Sequence, residues 1–240
     1  MFSRADIQIN PELNLSDYAA LLKENGRVQI PNFFTDETAE TLHNLIKTNQ
    51  TWNLAYNEYD QFFESTKQDF EDTPAEFKTN FMKAIYERAS STFQYVFMQY
   101  YITQAVKNRE EMGHPLHELH HWANEDDFLS LLKSLVGDSA IRWCDVFISR
   151  YEPGHFLSKH DDTHPKHDRS VAYTIGMTKE WNPNWGGHLV FLDKKGGIKE
   201  GFIPEFNTLN LFHNPQDHAV QLVAPNAGKP RDSFLGWANR

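Results

Sequence analysis

Two histidines and one aspartate in the second half of the chain have the residue types of a mononuclear iron site. His160 and Asp162 form an H-x-D pair, and His218 follows further along the chain. Two imidazoles and one carboxylate are the ligands that hold non-haem Fe(II) while leaving coordination positions open. Because side chains two residues apart on an extended strand point to the same side, His160 and Asp162 can reach one ion. The pattern therefore predicts a metal site suited to oxygen chemistry.

An arginine and a serine follow the second histidine. Arg231 and Ser233 form an R-x-S motif on an apparent strand. A guanidinium group presents a rigid fork of N–H donors that matches a carboxylate. The motif therefore predicts a site for a carboxylate-bearing cosubstrate, and it argues against a metal oxygenase that uses none.

Short strands are the elements that must bring these residues together. From about residue 140 onward, aromatic and β-branched runs alternate with Gly, Pro and Asn, a texture typical of antiparallel sheet. These strands would form a double-stranded β-helix, or jelly roll, in which distant positions lie side by side. The predicted strands lie near 27–30, 141–151, 155–160, 169–176, 187–193, 208–213, 218–224 and 232–238.

The first half of the chain is predicted to be mainly helical. Thr35 is a candidate N-cap, and a capping box with proline begins at Thr73 and leads into one long helix or two broken ones, up to Val106. A third helix is predicted to start at Asn124 and to end at Gly137. Packed on one sheet, these helices would give an α+β fold with a mainly β core.

The chain length of 240 residues and the mass of 28.0 kDa fit one domain. We expect a single domain over 1–240, in which 1–138 are mainly helical support and 139–240 form the jelly-roll core. The acidic, aromatic segment 50–72 is interpreted either as a loop folded over the core or as a lid that covers the substrate.

Composition argues against several classes of partner. The formal net charge of −10 disfavours binding to a nucleic-acid backbone. The single cysteine, Cys144, excludes an internal disulfide and a cysteine-based zinc site. Because no apolar run is typical of a signal peptide or a membrane span, we expect a cytoplasmic protein that needs no membrane. The sequence leaves the oligomeric state open.

Several motifs of the second half occur together in one known family. They are Arg150-Tyr151 with Gly154, His160-x-Asp162, Arg169 with Tyr173-Thr174, Trp181 with Gly186-Gly187-His188-Leu189, His218, and Arg231-x-Ser233 with Gly236-Trp237. Over residues 140–238 the chain resembles the Fe(II)- and 2-oxoglutarate-dependent dioxygenases, particularly the prolyl hydroxylase-like branch. The segment from Ile30 to Phe34 also resembles the strand–helix entry of this family.

The resemblance implies a function and a role for particular residues. It implies hydroxylation of a C–H bond with release of succinate and CO2, using Fe(II), 2-oxoglutarate and O2, with ascorbate as a candidate reductant. The substrate would be a prolyl residue of a protein or peptide, although a small molecule stays open. The implied iron ligands are the two histidines and Asp162, with Arg231 and Ser233 on the distal carboxylate of 2-oxoglutarate. The implied pocket residues are Tyr151, Thr174 and Leu189.

Two positions depart from the pattern of that family. His188 stands where an acidic residue often follows the paired glycines, and Gly176 lies near the place of a cosubstrate-binding tyrosine in some prolyl hydroxylases. Tyr173, three residues earlier, should point to the other side of its strand. Neither departure affects the three candidate ligands, but both leave the subfamily and the substrate open.

Two other functions compete with this interpretation. His117, Glu118 and His121 fit the H-E-x-x-H pattern of zinc hydrolases, but the nearby cap at Asn124 leaves little room for the helix that this pattern needs. A non-catalytic jelly-roll binding module is the other alternative, because the fold alone does not establish catalysis. The remaining histidines are expected to be surface or packing groups, namely His155, His164, His167, His188 and His213.

Overall fold

The structure is a computed structural model that describes residues 2–59 and 61–240. In these residues the helices are α1 (Leu15–Asn25), α2 (Asp36–Thr48), α3 (Lys67–Glu71), α4 (Ala75–Ala89), α5 (Ile102–Asn108), α6 (His117–Ala123) and α7 (Asp126–Val136). The strands are β1 (Arg27–Ile30), β2 (Asn53–Glu58), β3 (Gln61–Thr66), β4 (Tyr95–Tyr100), β5 (Trp143–Cys144), β6 (Phe147–Tyr151), β7 (Phe156–His160), β8 (Arg169–Gly176), β9 (Leu189–Leu192), β10 (Ile198–Phe202), β11 (Leu209–His213), β12 (His218–Val220) and β13 (Arg231–Asn239). Among the described helices, none is both long and apolar enough to span a bilayer.

The strands wrap into an antiparallel jelly roll, which confirms the predicted fold class. One wall has the order β1-β11-β8-β13-β6, and the other has the order β7-β12-β9-β10. Strand β4 joins the two walls, because Met98 to Tyr100 pair with β6 while Tyr95 and Val96 pair with β7. The hairpin of β2 and β3 extends the sheet from β4.

Side-chain alternation along the strands separates two hydrophobic layers. On β8, Val171, Tyr173 and Ile175 belong to the large core between the first wall and the helices. Ala172 belongs instead to a second cluster inside the roll. The helices contribute buried leucines to the large core, namely Leu22, Leu42, Leu119 and Leu132. The prediction of helices packed on one sheet is therefore confirmed.

Two of the predicted helix ends agree with the structure, and a third is displaced. Thr35 caps α2, because its hydroxyl oxygen accepts a hydrogen bond from the Thr38 N–H, and Gly137 ends α7 in a left-handed conformation with φ of 71°. Helix α7 begins at Asp126 rather than at Asn124. The reason is that the Asn124 side chain bonds both the N–H and the carbonyl of Cys144, which fixes it to strand β5.

The prediction of one or two helices from Thr73 to Val106 is wrong in its second half. Helix α4 ends at Ala89, and the chain then forms β4 before α5 begins. The side chains from Tyr95 to Tyr100 alternate with the period of a strand, and β4 has partners on both sides. Tyr95, Val96 and Phe97 also favour a strand by their own propensity. Thr73 also forms no capping box, since Pro74 is the N-cap.

The interpretation of segment 50–72 as a loop is also wrong. This segment forms β2, β3 and the short helix α3. Its aromatic residues face each other across the two strands. Tyr56 is paired with Phe63, and the two rings stack with 5.5 Å between their centroids. The hairpin is therefore a wall of the roll and not an irregular cover.

Gly176 at the end of β8 provides a test of this packing. A Cβ atom at this position would lie 2.0 Å from the main-chain carbonyl oxygen of Glu205, so no other residue fits without moving the backbone. We expect Gly176→Ala to lower the free energy of unfolding by about 3 kcal/mol or more, at the upper end of overpacking effects. This close approach also explains why a tyrosine is absent from position 176.

Urea unfolding followed by circular dichroism measures this change. Gly201→Ala on β10 is the matched control, because its Cβ would meet only a Val190 methyl group at 3.5 Å. The control should change the unfolding free energy by no more than about 0.5 kcal/mol. Equal stability of the two variants would contradict the close approach at Gly176.

Candidate active site

The structure brings the two histidines and the aspartate of the predicted metal site together. His160 ends β7 and His218 begins β12, and the two are directly paired across the strands. Their Nε2 atoms lie 3.3 Å and 3.5 Å from the two carboxylate oxygens of Asp162. In the described part of the chain, this is the one group of three potential ligands whose ligand atoms all lie within 4.8 Å of one another.

Asp162 reaches this point by a route that the sequence analysis missed. Strand β7 ends at His160, and Asp162 has a φ of 62°, in the left-handed region. The two side chains therefore converge through a turn and not through the alternation of an extended strand. Asp161 forms this turn, because its exposed carboxylate accepts a hydrogen bond from the Thr163 N–H at 3.0 Å. As predicted, Asp161 points away from the cluster.

Main-chain carbonyls orient both imidazole rings. The Nδ1 atom of His160 lies 3.0 Å from the carbonyl oxygen of Ser158, and that of His218 lies 2.7 Å from the carbonyl oxygen of Gln216. A carbonyl oxygen can only accept, so Nδ1 donates in each case. In the neutral ring Nε2 then keeps its lone pair, and this atom faces Asp162. Such outer hydrogen bonds fix the tautomer that a metal ligand requires.

Burial and mutual charge set the protonation states of the three groups. Burial acts to raise the pKa of Asp162, but the hydrogen bond with His160 and the charges of both histidines outweigh it and hold this pKa well below its usual range. Burial, assisted by the charge of His160, lowers the pKa of His218 to about 4. For His160, burial acts to lower the pKa, but the hydrogen bond with Asp162 and its charge raise it overall. The carboxylate thus stays ionised inside the protein.

Arg231 is a buried cation without an anionic partner. It begins β13 with only 5% of its surface exposed, and its guanidinium carbon lies 5.2 Å from the centre of the Tyr151 ring. Its Nε has no hydrogen-bond partner, and it forms no ion pair with a described residue. Since an unpaired buried charge is costly, this site fits a ligand that carries a carboxylate.

The three candidate ligands and Arg231 line one cavity of about 780 Å³. Tyr151, Thr174 and Leu189 also line it, as the sequence analysis expected. Ser233 does not line it. This serine is buried two residues after Arg231 and pairs with Ser149 and Gly176, so the structure does not bring its hydroxyl to the cavity surface.

Strand β4 forms a wall of the cavity that the sequence analysis missed. Tyr95, Phe97 and Gln99 line the cavity from one face of this strand, and Phe97 stacks on Tyr151 with 5.0 Å between ring centroids. The signal was present in the sequence, because aromatic residues recur at every second position from Phe93 to Phe97. The assignment of the segment as helix concealed this period.

The H-E-x-x-H motif of the zinc-hydrolase alternative lies on a helix, but its histidines form no metal site with a third ligand among the described residues. The expectation that little room is left for a helix here is wrong, since α6 runs from His117 to Ala123. However, His117 Nε2 lies 2.7 Å from the hydroxyl of Tyr100, which occupies it. Among the described residues no third ligand joins His117 and His121.

The histidines that were expected to be packing or surface groups also stay outside the metal cluster. His155 is buried and its Nδ1 accepts a hydrogen bond from the Glu152 N–H. Tyr173 points to the helix side, as its position in β8 predicted, and its hydroxyl donates to the carbonyl of Asp145.

Comparison with known proteins agrees with this geometry. Residues 146–239 match the family model described as the 2OG-Fe(II) oxygenase superfamily, where 2OG is 2-oxoglutarate. This range contains all three candidate ligands and Arg231. This part of the chain is therefore similar to the 2OG-Fe(II) oxygenase superfamily. The match indicates a dioxygenase, and the matched family uses Fe(II), 2-oxoglutarate and O2.

Solved structures of this superfamily share the fold over nearly the whole chain. A prolyl-4-hydroxylase from Pseudomonas putida is 17% identical, with a TM-score of 0.58 and coverage of 94% of this chain and 98% of that one. A 2OG-Fe(II) oxygenase from Burkholderia pseudomallei is 17% identical, with a TM-score of 0.59 and coverage of 97% and 93%. A Trichoplax adhaerens prolyl hydroxylase, in complex with a peptide fragment of hypoxia inducible factor, is 16% identical, with a TM-score of 0.58 and coverage of 96% and 94%. No curated protein sequence matches the chain significantly.

Substitution of Asp162 tests the candidate metal site. We expect Asp162→Ala to weaken Co(II) binding by more than about 100-fold, because loss of a ligand should exceed the 10- to 100-fold effect of losing a residue behind a ligand. Titration of the metal-free protein with Co(II), followed by visible absorption, measures the affinity. Asp161→Asn is the matched control, since it keeps a side-chain acceptor for the turn, and its affinity should equal that of the wild type. An unchanged affinity of Asp162→Ala would remove this residue from the site.

Substitution of Arg231 separates cosubstrate binding from metal binding. Removal of one partner from a buried charge pair costs about 2 to 5 kcal/mol, so Arg231→Gln should raise the Kd for 2-oxoglutarate by roughly 30-fold to several thousand-fold. Calorimetry on the Co(II)-loaded protein measures this change, while Co(II) affinity should stay the same. The melting temperature of the ligand-free variant should equal or exceed that of the wild type, because an unpaired buried charge is removed. A destabilised variant with normal 2-oxoglutarate affinity would assign Arg231 a structural role instead.

Proposed function

We propose that the chain hydroxylates a prolyl residue of a protein or peptide. In this proposal His160, Asp162 and His218 hold Fe(II), and Arg231 binds the distal carboxylate of 2-oxoglutarate. The observation that carries it is the unpaired guanidinium of Arg231, which lines the same cavity as the three ligands. A metal site and a buried anion site in one cavity match the two requirements of this cosubstrate.

The bound iron and its cosubstrate would supply the oxidation, in which a C–H bond, O2 and 2-oxoglutarate yield C–OH, succinate and CO2. The residues of the chain would bind the metal ion and the cosubstrate and orient them. Three ligands leave coordination positions open, and the carbonyl partners of His160 and His218 fix the ligand rings. Leu189 and Thr174 line the cavity beside the ligands.

The aromatic lining of the cavity supports a peptide as the substrate. The aromatic side chains that line it include Phe62, Phe93, Tyr95, Phe97, Tyr100, Tyr101 and Phe147. Rings of this kind offer flat apolar surface to an aliphatic ring such as that of proline. The peptide complex of the Trichoplax adhaerens prolyl hydroxylase, which has the same fold, supports the same substrate class.

Charge at the outer end favours neutral or basic peptides over acidic ones. Glu64 on β3 and Glu110 after α5 line the cavity there, and neither forms an ion pair with a described residue. The cations that line the cavity are two arginines, Arg169 and Arg231, and both lie with the candidate ligands. An acidic peptide would meet two uncompensated carboxylates at the entrance.

We also propose that the whole chain acts as one catalytic domain. Strands β2, β3 and β4 come from the first half of the sequence, yet they supply Asn53, Glu64 and Phe97 to the cavity wall. A segment that begins at residue 139 would lack this wall. In this proposal the hairpin of β2 and β3 borders the substrate, and the lid interpretation of segment 50–72 stays a prediction.

The test is incubation of the purified chain with Fe(II), 2-oxoglutarate, ascorbate and O2, together with proline-containing peptides. The panel contains matched peptides with lysine or glutamate beside the proline, and free proline is tested separately. We expect succinate in a 1:1 ratio with a mass increase of about 16 Da on the peptide, as one oxygen atom is inserted, and faster reaction of the lysine peptides. Asp162→Ala is the inactive control.

The possible outcomes distinguish the alternatives. Oxidation of free proline but of no peptide would move the proposal to a small-molecule hydroxylase. Tight peptide binding without succinate, in protein that is loaded with iron, would favour a non-catalytic binding module. Faster reaction of the glutamate peptides would contradict the role assigned to Glu64 and Glu110.

A further inference from the structure

A second arginine contacts the main chain of the candidate ligand Asp162. Arg169 begins β8, and its Nη1 donates a hydrogen bond to the carbonyl oxygen of Asp162 at 3.1 Å. Its guanidinium carbon lies 3.6 Å from the centre of the Trp237 ring, so the two planar groups are in close contact. Arg169 forms no ion pair with a carboxylate in the described part of the chain. The Trp237 ring and the Asp162 carbonyl are therefore the contacts that fix it.

Trp237 lies beside the same aspartate. This tryptophan is on β13, where it pairs with Ala172 of β8, and it lines the same cavity as Asp162. Its indole N–H, which can only donate, contributes to the low pKa of the Asp162 carboxyl. Arg169 thus holds the main chain of Asp162, while Trp237 packs on Arg169 and acts on the carboxylate, from two neighbouring strands of the first wall.

Asp162 needs such contacts more than the two histidines do. His160 and His218 belong to paired strands, which fix their backbone. Asp162 lies beyond the end of β7 with a φ of 62°, a conformation that is unfavourable for a residue with a side chain. Its main chain has no hydrogen bond to another main-chain group of the described residues. Side-chain contacts, rather than main-chain hydrogen bonds, must therefore keep Asp162 in this unfavourable backbone conformation.

We propose that Arg169 and Trp237 are positioning residues that hold Asp162 in its left-handed conformation, so that its carboxylate meets both imidazoles. This inference rests on the proposed function only in that the three groups bind a metal ion. It assigns no contact with substrate to either residue. Loss of either contact should leave the fold intact but let the turn after β7 relax, which removes the carboxylate from the metal.

Metal affinity tests the inference without any turnover. The variants are Arg169→Gln, which removes the cation and its fork, and Trp237→Phe, which keeps a ring and removes the N–H. Each metal-free protein is titrated with Co(II), and affinity and visible spectrum are recorded together. We expect a loss of roughly 10- to 100-fold for each variant, the range found for residues behind a metal ligand, and a changed spectrum because the carboxylate binds differently. Arg169→Lys, which keeps one donor, should recover part of the affinity.

Arg150→Lys is the matched control. Arg150 is also a partly buried arginine over a tryptophan, 4.6 Å from the Trp52 ring, but it pairs with Asp232 and does not contact a candidate ligand. Its variant should bind Co(II) as the wild type does. Because the two positions act on one aspartate, the fold-loss of Co(II) affinity in the double variant Arg169→Gln, Trp237→Phe should be smaller than the product of the two single fold-losses.

Three results would overturn the inference. Wild-type affinity and spectrum in folded Arg169→Gln and Trp237→Phe would show that Asp162 holds its position alone. An equal loss in Arg150→Lys would show a general effect of stability. A wild-type protein that binds no Co(II) would overturn the proposed function together with this inference, whereas failure of the variants alone to respond leaves the proposed function intact.

Discussion

The structure depends on the burial of one carboxylate between two imidazoles. Asp162 is almost fully enclosed, with 7% of its side chain exposed, and it has no lysine or arginine as an ion-pair partner among the described residues. Burial alone would favour the neutral acid, but the hydrogen bond with His160 and the nearby His218 lower its pKa overall. The same three groups that stabilise one another without metal are those that a divalent cation would bind. The fold keeps these three side chains close enough to bind one ion.

The jelly roll provides that means through the pairing of its strands. His160 and His218 are opposite each other because β7 and β12 are antiparallel neighbours, and Arg231 is fixed opposite Tyr151 by the pairing of β13 with β6. The helices cover the outer face of the first wall, so they stabilise the strands that carry Arg231 and Arg169, and α5 also lines the cavity through Gln104 and Ala105. Rigid strands thus hold the histidines, whereas side chains hold the one ligand that lies on a turn.

The local patterns of the second half made much of this arrangement predictable. Strand β8 has its predicted bounds, and the spacing of His160, Asp162 and His218 identified residues that do lie together. The sequence-based assignment was wrong where a segment becomes a strand through its pairing with neighbouring strands. The segment that became β4 follows a helix and was assigned to it, whereas its pairing with β2, β6 and β7 makes it a strand.

The residues around Asp162 illustrate a second reason for such errors. A left-handed turn at an aspartate has no signal in the sequence, since Asp161 and Asp162 are equally compatible with an extended chain. Without the turn, Arg169 could not be recognised as a neighbour of the site. The hydrogen bond from Arg169 links the start of β8 to the turn after β7. This contact depends on the assembled roll and has no signal in a short motif.

The most direct test of the central claim is the visible absorption of the wild-type protein under anaerobic conditions. Fe(II) is added to the metal-free protein, followed by 2-oxoglutarate. We predict a weak charge-transfer band that appears only after both additions, because the candidate metal ligands and Arg231 line one cavity. Absence of the band in folded protein that has bound one equivalent of iron would contradict this prediction.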